Sequence, residues 1–139
     1  MQYKRFNDTY MVRIDKDEEV VQSLRSLCEK ESIRLAKVDA IGATSHGIVG
    51  VFDLEKQSYH QEVLDGIMEI TSLSGNVTTM NQKPYIHLHA TLADQNRVLR
   101  GGHVIELQIG LTCEMFVRVL DGEVERERNE EFGINVWKI

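Results

Sequence analysis

The chain has 139 residues, 42% of them hydrophobic, and a formal charge of −6. That length suits one domain around one core, and the acidic balance, with no run of five like charges, excludes the basic stripe that neutralises nucleic-acid phosphates. Cys28 and Cys113 lie far apart without Cys-x-x-Cys spacing, so buried thiols are expected in place of a disulfide framework or a thiolate zinc site.

The opening residues, MQYKRFNDTYMV, contain no apolar stretch of signal-peptide length, and no segment approaches a membrane span, so a cytoplasmic protein is expected. TYMVRI reads as a first strand. In DKDEEVVQSLRSLCEKES, Val20, Val21, Leu24, Leu27 and Cys28 recur at helical spacing, and Asp15 followed by Glu18 resembles a capping box. A helix over about 17–31 is predicted, its acidic start suited to the positive end of the dipole. RLAKVDAIGATSHGIVGVF then reads as a strand, a glycine-containing bend and another strand. IMEITSLSGNVTTM, YIHLHATLA, HVIELQIGL and CEMFVRVL are further strands by their apolar and β-branched content, separated by NQKP, ADQN and the Asp121-Gly122 turn. The tail, GEVERERNEEFGINVWKI, reads as a solvated charged loop followed by an end strand or an anchor through Phe132, Val136, Trp137 and Ile139. With no linker and no internal repeat, residues 1–139 are predicted to form a single α+β domain, a mostly antiparallel sheet with one main helix packed on it.

The chemistry concentrates in PYIHLHATLADQNRVLRGGHV. Alternation puts His87 and His89 on one face of a strand and Ile86, Leu88, Ala90 and Leu92 on the other, which makes the second set core-facing. A turn at DQN brings a second strand alongside, carrying His103. Its parity is a difficulty: if Ile105, Leu107, Ile109 and Leu111 face the core, an unbroken strand sends His103 inward too. A bulge at Gly101-Gly102, or a register switch just after it, would turn His103 toward the pair. Three neutral imidazoles with a vacant fourth position suit Zn²⁺ and can hold Ni²⁺ or Fe²⁺. The plainer alternative is that His87 and His89 hydrogen-bond at a subunit interface and His103 caps a hairpin. His46 and His60 read as surface residues, with Glu62 available as a supporting carboxylate to a site near His60. Glu69 and Glu106 stand among apolar neighbours, where a carboxylate needs solvent, a partner or a metal; either could act as a general base beside a metal-bound water. SLSG lacks the surroundings of a nucleophile elbow and reads as a strand ending at a glycine bend.

VDAIGATSHGIVGVFD, GIMEITSLSGNV, PYIHLHATLAD and VLRGGHV, in that order, resemble the plants-and-prokaryotes-conserved (PPC) domain in its free-standing prokaryotic form, over roughly residues 8–120. Met68 stands where the family often has Phe. The resemblance implies an antiparallel sheet beside a helix, assembled as a homotrimer, with a divalent metal, zinc first, held by His87, His89 and His103. It also brings a DNA-binding label, which plant members owe to Arg-Gly-Arg-Pro segments. This chain has none, its only proline is Pro84 and its charge is −6, so direct DNA binding is not expected. The leading expectation is a homotrimeric metal-containing binding or sensor module for a small anionic or carbonyl ligand. A metal-dependent hydrolase or lyase using Glu69 or Glu106, and a DNA-associated regulator, are the alternatives.

Overall fold

The computed structural model describes all 139 residues. Strands β1 (Gln2–Phe6) and β2 (Thr9–Asp15) form a hairpin, helix α1 (Val20–Glu31) follows, and four long strands succeed it. These are β3 (Ala36–Asp53), β4 (Ser58–Met80), β5 (Lys83–Ala93) and β6 (Leu99–Val119). A separate hairpin, β7 (Arg126–Asn129) with β8 (Ile134–Trp137), ends the chain.

All the strand pairings of the main sheet are antiparallel, in the order β1-β2-β6-β3-β4-β5. β5 also pairs with the first residues of β6, so β3, β4, β5 and β6 close on themselves. β6 makes this possible by its length: one edge runs along β3, while the other serves β5 over Leu99–His103 and β2 over Thr112–Arg118. Closure leaves fewer open strand edges. The expected α+β architecture is thus present. Several predicted strand breaks are not. The bend expected within residues 34–52 is a pair of register shifts in one continuous strand, and the two strands expected after Gly102 are one.

The helix is shorter than predicted, 12 residues instead of about 15. Glu19 is its N-cap, accepting from the Val21 and Gln22 amides, so the acidic residues precede the first turn and do not lie within it. Half of the expected box forms, with the Asp15 amide donating to Glu18 Oε2 at 2.8 Å. Glu19 Oε1 also accepts from the Leu107 amide at 3.0 Å, which ties the helix start to β6. Replacing Glu19 by alanine removes a cap and a backbone partner together. The expected loss is about 1–3 kcal/mol in urea unfolding, against under about 0.5 kcal/mol for exposed Glu29→Ala.

Val20, Leu24, Leu27 and Cys28 form the buried stripe of α1, which packs on β5 and β6 within a core of 26 residues. Burying each leucine contributes about 1.5–3 kcal/mol. Cys28 and Cys113 are buried free thiols, as expected, and burial pushes both up to about 12, so neither is a thiolate at neutral pH. No helix is long and apolar enough to cross a membrane.

Candidate metal centre

Leu88, Ala90 and Leu92 enter the core, which leaves His87 and His89 side by side on the outer face of β5. Their strand is held unusually close to β4. A Cβ on Gly75 would lie 1.9 Å from the His87 carbonyl oxygen, so only glycine permits this approach. SLSG is therefore not a strand end: Gly75 lies inside β4, paired with Leu88 of β5.

His103 faces the pair because it is the direct cross-strand partner of His89. The parity switch that allows this lies beyond it. Gly101 and Gly102 keep regular register with Thr91 and Ala90, whereas Ile48 and Val49 on β3 pair with Glu106 and Val104, leaving Ile105 as the extra residue. Val104 and Leu107, three apart, are consequently both buried, and Ile105 drops out of the predicted core set. Leu111 drops out as well and is 60% exposed, because a second irregularity follows Ile109. Gly101 serves closeness instead: a Cβ there would meet the Ala90 carbonyl at 2.0 Å.

The ligand atoms of His87, His89 and His103 all lie within 4.8 Å of one another. His87 Nε2 and His89 Nε2 are 3.3 Å apart. Two nitrogens bound tetrahedrally to one zinc at about 2.0–2.1 Å stand about 3.3 Å from each other, so that pair already has the separation an ion requires. No carboxylate or thiolate joins the group at this distance. Glu69 is exposed on β4 opposite Ala93, four residues along β5 from His89, or about 13 Å of strand. Glu106 is half-buried beyond the Ile105 bulge and is not part of the cluster. His46 pairs with Asp65 at 2.6 Å, and Glu62 is engaged by Arg100 at 2.6 Å, away from the imidazoles.

The residue missed by sequence reasoning is Arg126. Although it belongs to the charged stretch read as solvated, it is 6% exposed. Its Nε donates to Thr78 Oγ1, Nη1 to the Asn135 carbonyl, and Nη2 to Asn76 Oδ1 and His87 Nδ1, with the guanidinium 4.5 Å from the Tyr85 ring centre. The available signal was alternation: Val124 and Arg126 share one side of the chain, Glu125 and Glu127 the other. The apolar tail residues do not anchor on the core; Trp137 is 49% and Ile139 96% exposed.

Arginine only donates, so His87 Nδ1 accepts and the proton of neutral His87 sits on Nε2. For His87 to serve as a metal ligand through Nε2, that proton would have to leave Nε2 and Arg126 would have to give up its contact to Nδ1. His103 stacks on Tyr59 with ring centres 4.7 Å apart, and its Nδ1 is buried with no partner. Burial, with Arg126 and the neighbouring imidazoles adding repulsion, lowers His87 to about 4. Burial, followed by His89 and Arg126, also lowers His103. Both are therefore neutral at pH 7, as an imidazole that binds a metal must be.

These depressed values set a pH dependence. Between the ordinary imidazole value of 6.5 and about 4, the unfolded chain binds protons that the folded chain does not. Stability is full above 6.5 and falls as pH drops toward 4. Discounted for partial exposure, His87 accounts for about 1–2 kcal/mol. Urea unfolding in chelator between pH 7 and 5 is expected to show this slope, and His87→Ala to flatten it; an unchanged slope would count against the cause given.

A family model for the Plants and Prokaryotes Conserved (PCC) domain matches residues 1–121. The chain belongs to the PCC domain family. A comparison with curated proteins finds no match. Among solved structures, the metal-containing protein of Archaeoglobus fulgidus is 31% identical with a TM-score of 0.90, the match covering 100% of this chain and 99% of that one. A plant- and prokaryote-conserved protein of Pyrococcus horikoshii is 28% identical, TM-score 0.88, over 99% of this chain and 94% of that one. A Bacteroides thetaiotaomicron chain, designated a candidate DNA-binding protein, is 26% identical, TM-score 0.95, over 99% of this chain and 96% of that one.

Proposed function

We propose that this PCC-domain protein is a cytoplasmic, homotrimeric binding or sensor module in which His87, His89 and His103 hold a divalent metal, zinc first, and an open coordination position takes a small ligand. The observation that carries the reading is the convergence of three imidazoles within 4.8 Å, on strands fixed by glycine-only contacts. The metal of the Archaeoglobus relative supports it. Zinc ranks first because three imidazoles and a vacancy are its usual open site. Assembly is supported by the apolar side chains left on the sheet surface, among them Ile41, Val51, Leu99 and Leu111, each at least 59% exposed.

The Bacteroides relative favours a second reading, a DNA-associated regulator. The charge of −6 opposes direct binding, and duplex binding at low salt that weakens steeply as salt rises is the result that would restore it. A hydrolase or lyase gains nothing from Glu69 or Glu106, which do not join the imidazoles.

The test is elemental analysis of tag-free protein purified without chelator, beside His87→Ala and His103→Ala, with mass by light scattering. About one zinc per chain, lost in both variants, is the expected result, together with a mass of three 15.9 kDa chains. No metal in the wild type even after loading removes the metal reading, and a single-chain mass removes the trimer.

A further inference from the structure

Beside the imidazoles lies a cleft of about 260 Å³ whose walls include Tyr59, Tyr85, His103, Arg126, Arg128 and Asn135. It has no acidic residue in its lining, although Asp and Glu outnumber Lys and Arg by 22 to 16 in the chain. Arg126 is nearly buried, yet all four of its hydrogen-bond partners are neutral, and no carboxylate pairs with it. Arg128 at the same cleft forms no ion pair either. Burying a cation without a counter-ion costs free energy that proteins ordinarily offset with a paired carboxylate. Here the counter-ion is missing from the chain itself, and an unpartnered polar atom, His103 Nδ1, is buried on the same wall.

We infer that the cleft binds a small organic carboxylate. Its negative charge meets the remaining Nη1 donor of Arg126 and the fork of Arg128, and its apolar body lies against Tyr59 and Tyr85. The guanidinium favours carboxylates because the charge-assisted bond is shorter and stronger than a neutral one. The volume is small for a ligand pocket, which admits a compact acid and excludes a nucleotide. This deepens the reading of the histidine site as a ligand-binding centre, but the cations are the protein's own, so the carboxylate binds with or without the metal.

The experiment is a titration of chelator-treated and zinc-loaded protein with benzoate, with neutral benzamide and inorganic phosphate as controls, followed by calorimetry and amide NMR shifts. Benzoate is expected to shift amides of Tyr59, Tyr85 and Arg126 in both forms, benzamide to bind at least tenfold more weakly, and phosphate to bind more weakly than benzoate. Arg126→Gln should weaken benzoate at least tenfold, and Arg128→Gln, exposed and without structural partners, about threefold or more. Equal binding of benzoate and benzamide, no binding of benzoate, or wild-type affinity in the Arg128→Gln variant would overturn the inference; tighter binding of phosphate would assign the cleft to that anion instead of a carboxylate. Zinc binding without benzoate binding sinks this inference alone. Benzoate binding to a protein that never takes up zinc sinks the metal reading alone.

Discussion

Replacing Gly75 by alanine is expected to leave the protein unfolded or aggregated. The new Cβ would lie 1.9 Å from the His87 carbonyl oxygen and 2.9 Å from Leu88 Cα. Both are backbone atoms, so no side chain can yield. Relief requires β4 and β5 to part, breaking the ladder that runs from Glu69–Ala93 to Met80–Lys83 and lifting Leu88 from the core. Such a rearrangement costs upward of about 4 kcal/mol, a large share of the about 5–15 kcal/mol available to a domain. Circular dichroism and urea unfolding of Gly75→Ala, beside the exposed neighbour Ser74→Ala, provide the check. Ser74→Ala should stay within about 0.5 kcal/mol of wild type; a folded Gly75→Ala with a similar midpoint would show that the close approach is not required.

Zinc is expected to raise the thermal midpoint by roughly 10–20 °C at a thousandfold excess over its dissociation constant. A ligand bound only by the folded chain stabilises by RT ln(1 + [L]/Kd), or about 4 kcal/mol at that excess, and a domain of this size gains roughly 3–5 °C per kcal/mol. His103→Ala should abolish the rise while leaving the fold in place, since the ring is half-buried outside the core cluster. Scanning calorimetry with and without zinc distinguishes the outcomes. The same rise in His103→Ala would place the ion elsewhere, and no rise in the wild type would remove the site.

The parts of the fold readable in advance were those set by local period. The stripe Val20, Leu24, Leu27 and Cys28 identified α1, and alternation around Leu88, Ala90 and Leu92 placed His87 and His89 outside the core. What could not be read depends on which strand lies alongside. Ile105 looks like any apolar strand residue, and becomes a bulge only because β3 pairs with Val104 and Glu106 on either side of it. Gly75 looks like a bend until β5 is known to cross it. Arg126 is hidden by its own sequence neighbours, since acidic residues at 125 and 127 give the segment the signature of a solvated face. Its burial is decided by Thr78 and Asn76, nearly fifty residues earlier in the chain.

The hairpin that supplies Arg126 has a consequence for the family. The three imidazoles fall within residues 1–121, the portion matched by the family model, whereas β7 and β8 lie beyond it. On the proposed reading the ion would be held within that portion, while the hairpin adds Arg126 and Arg128 to a cleft it shares with Tyr59, Tyr85 and His103. Arg126 is tied to Thr78, Asn76 and His87 of the closed sheet, whereas Arg128 is exposed and forms no ion pair, so position 128 is where a substitution in the hairpin changes the charge of the cleft without loosening the strands beneath it.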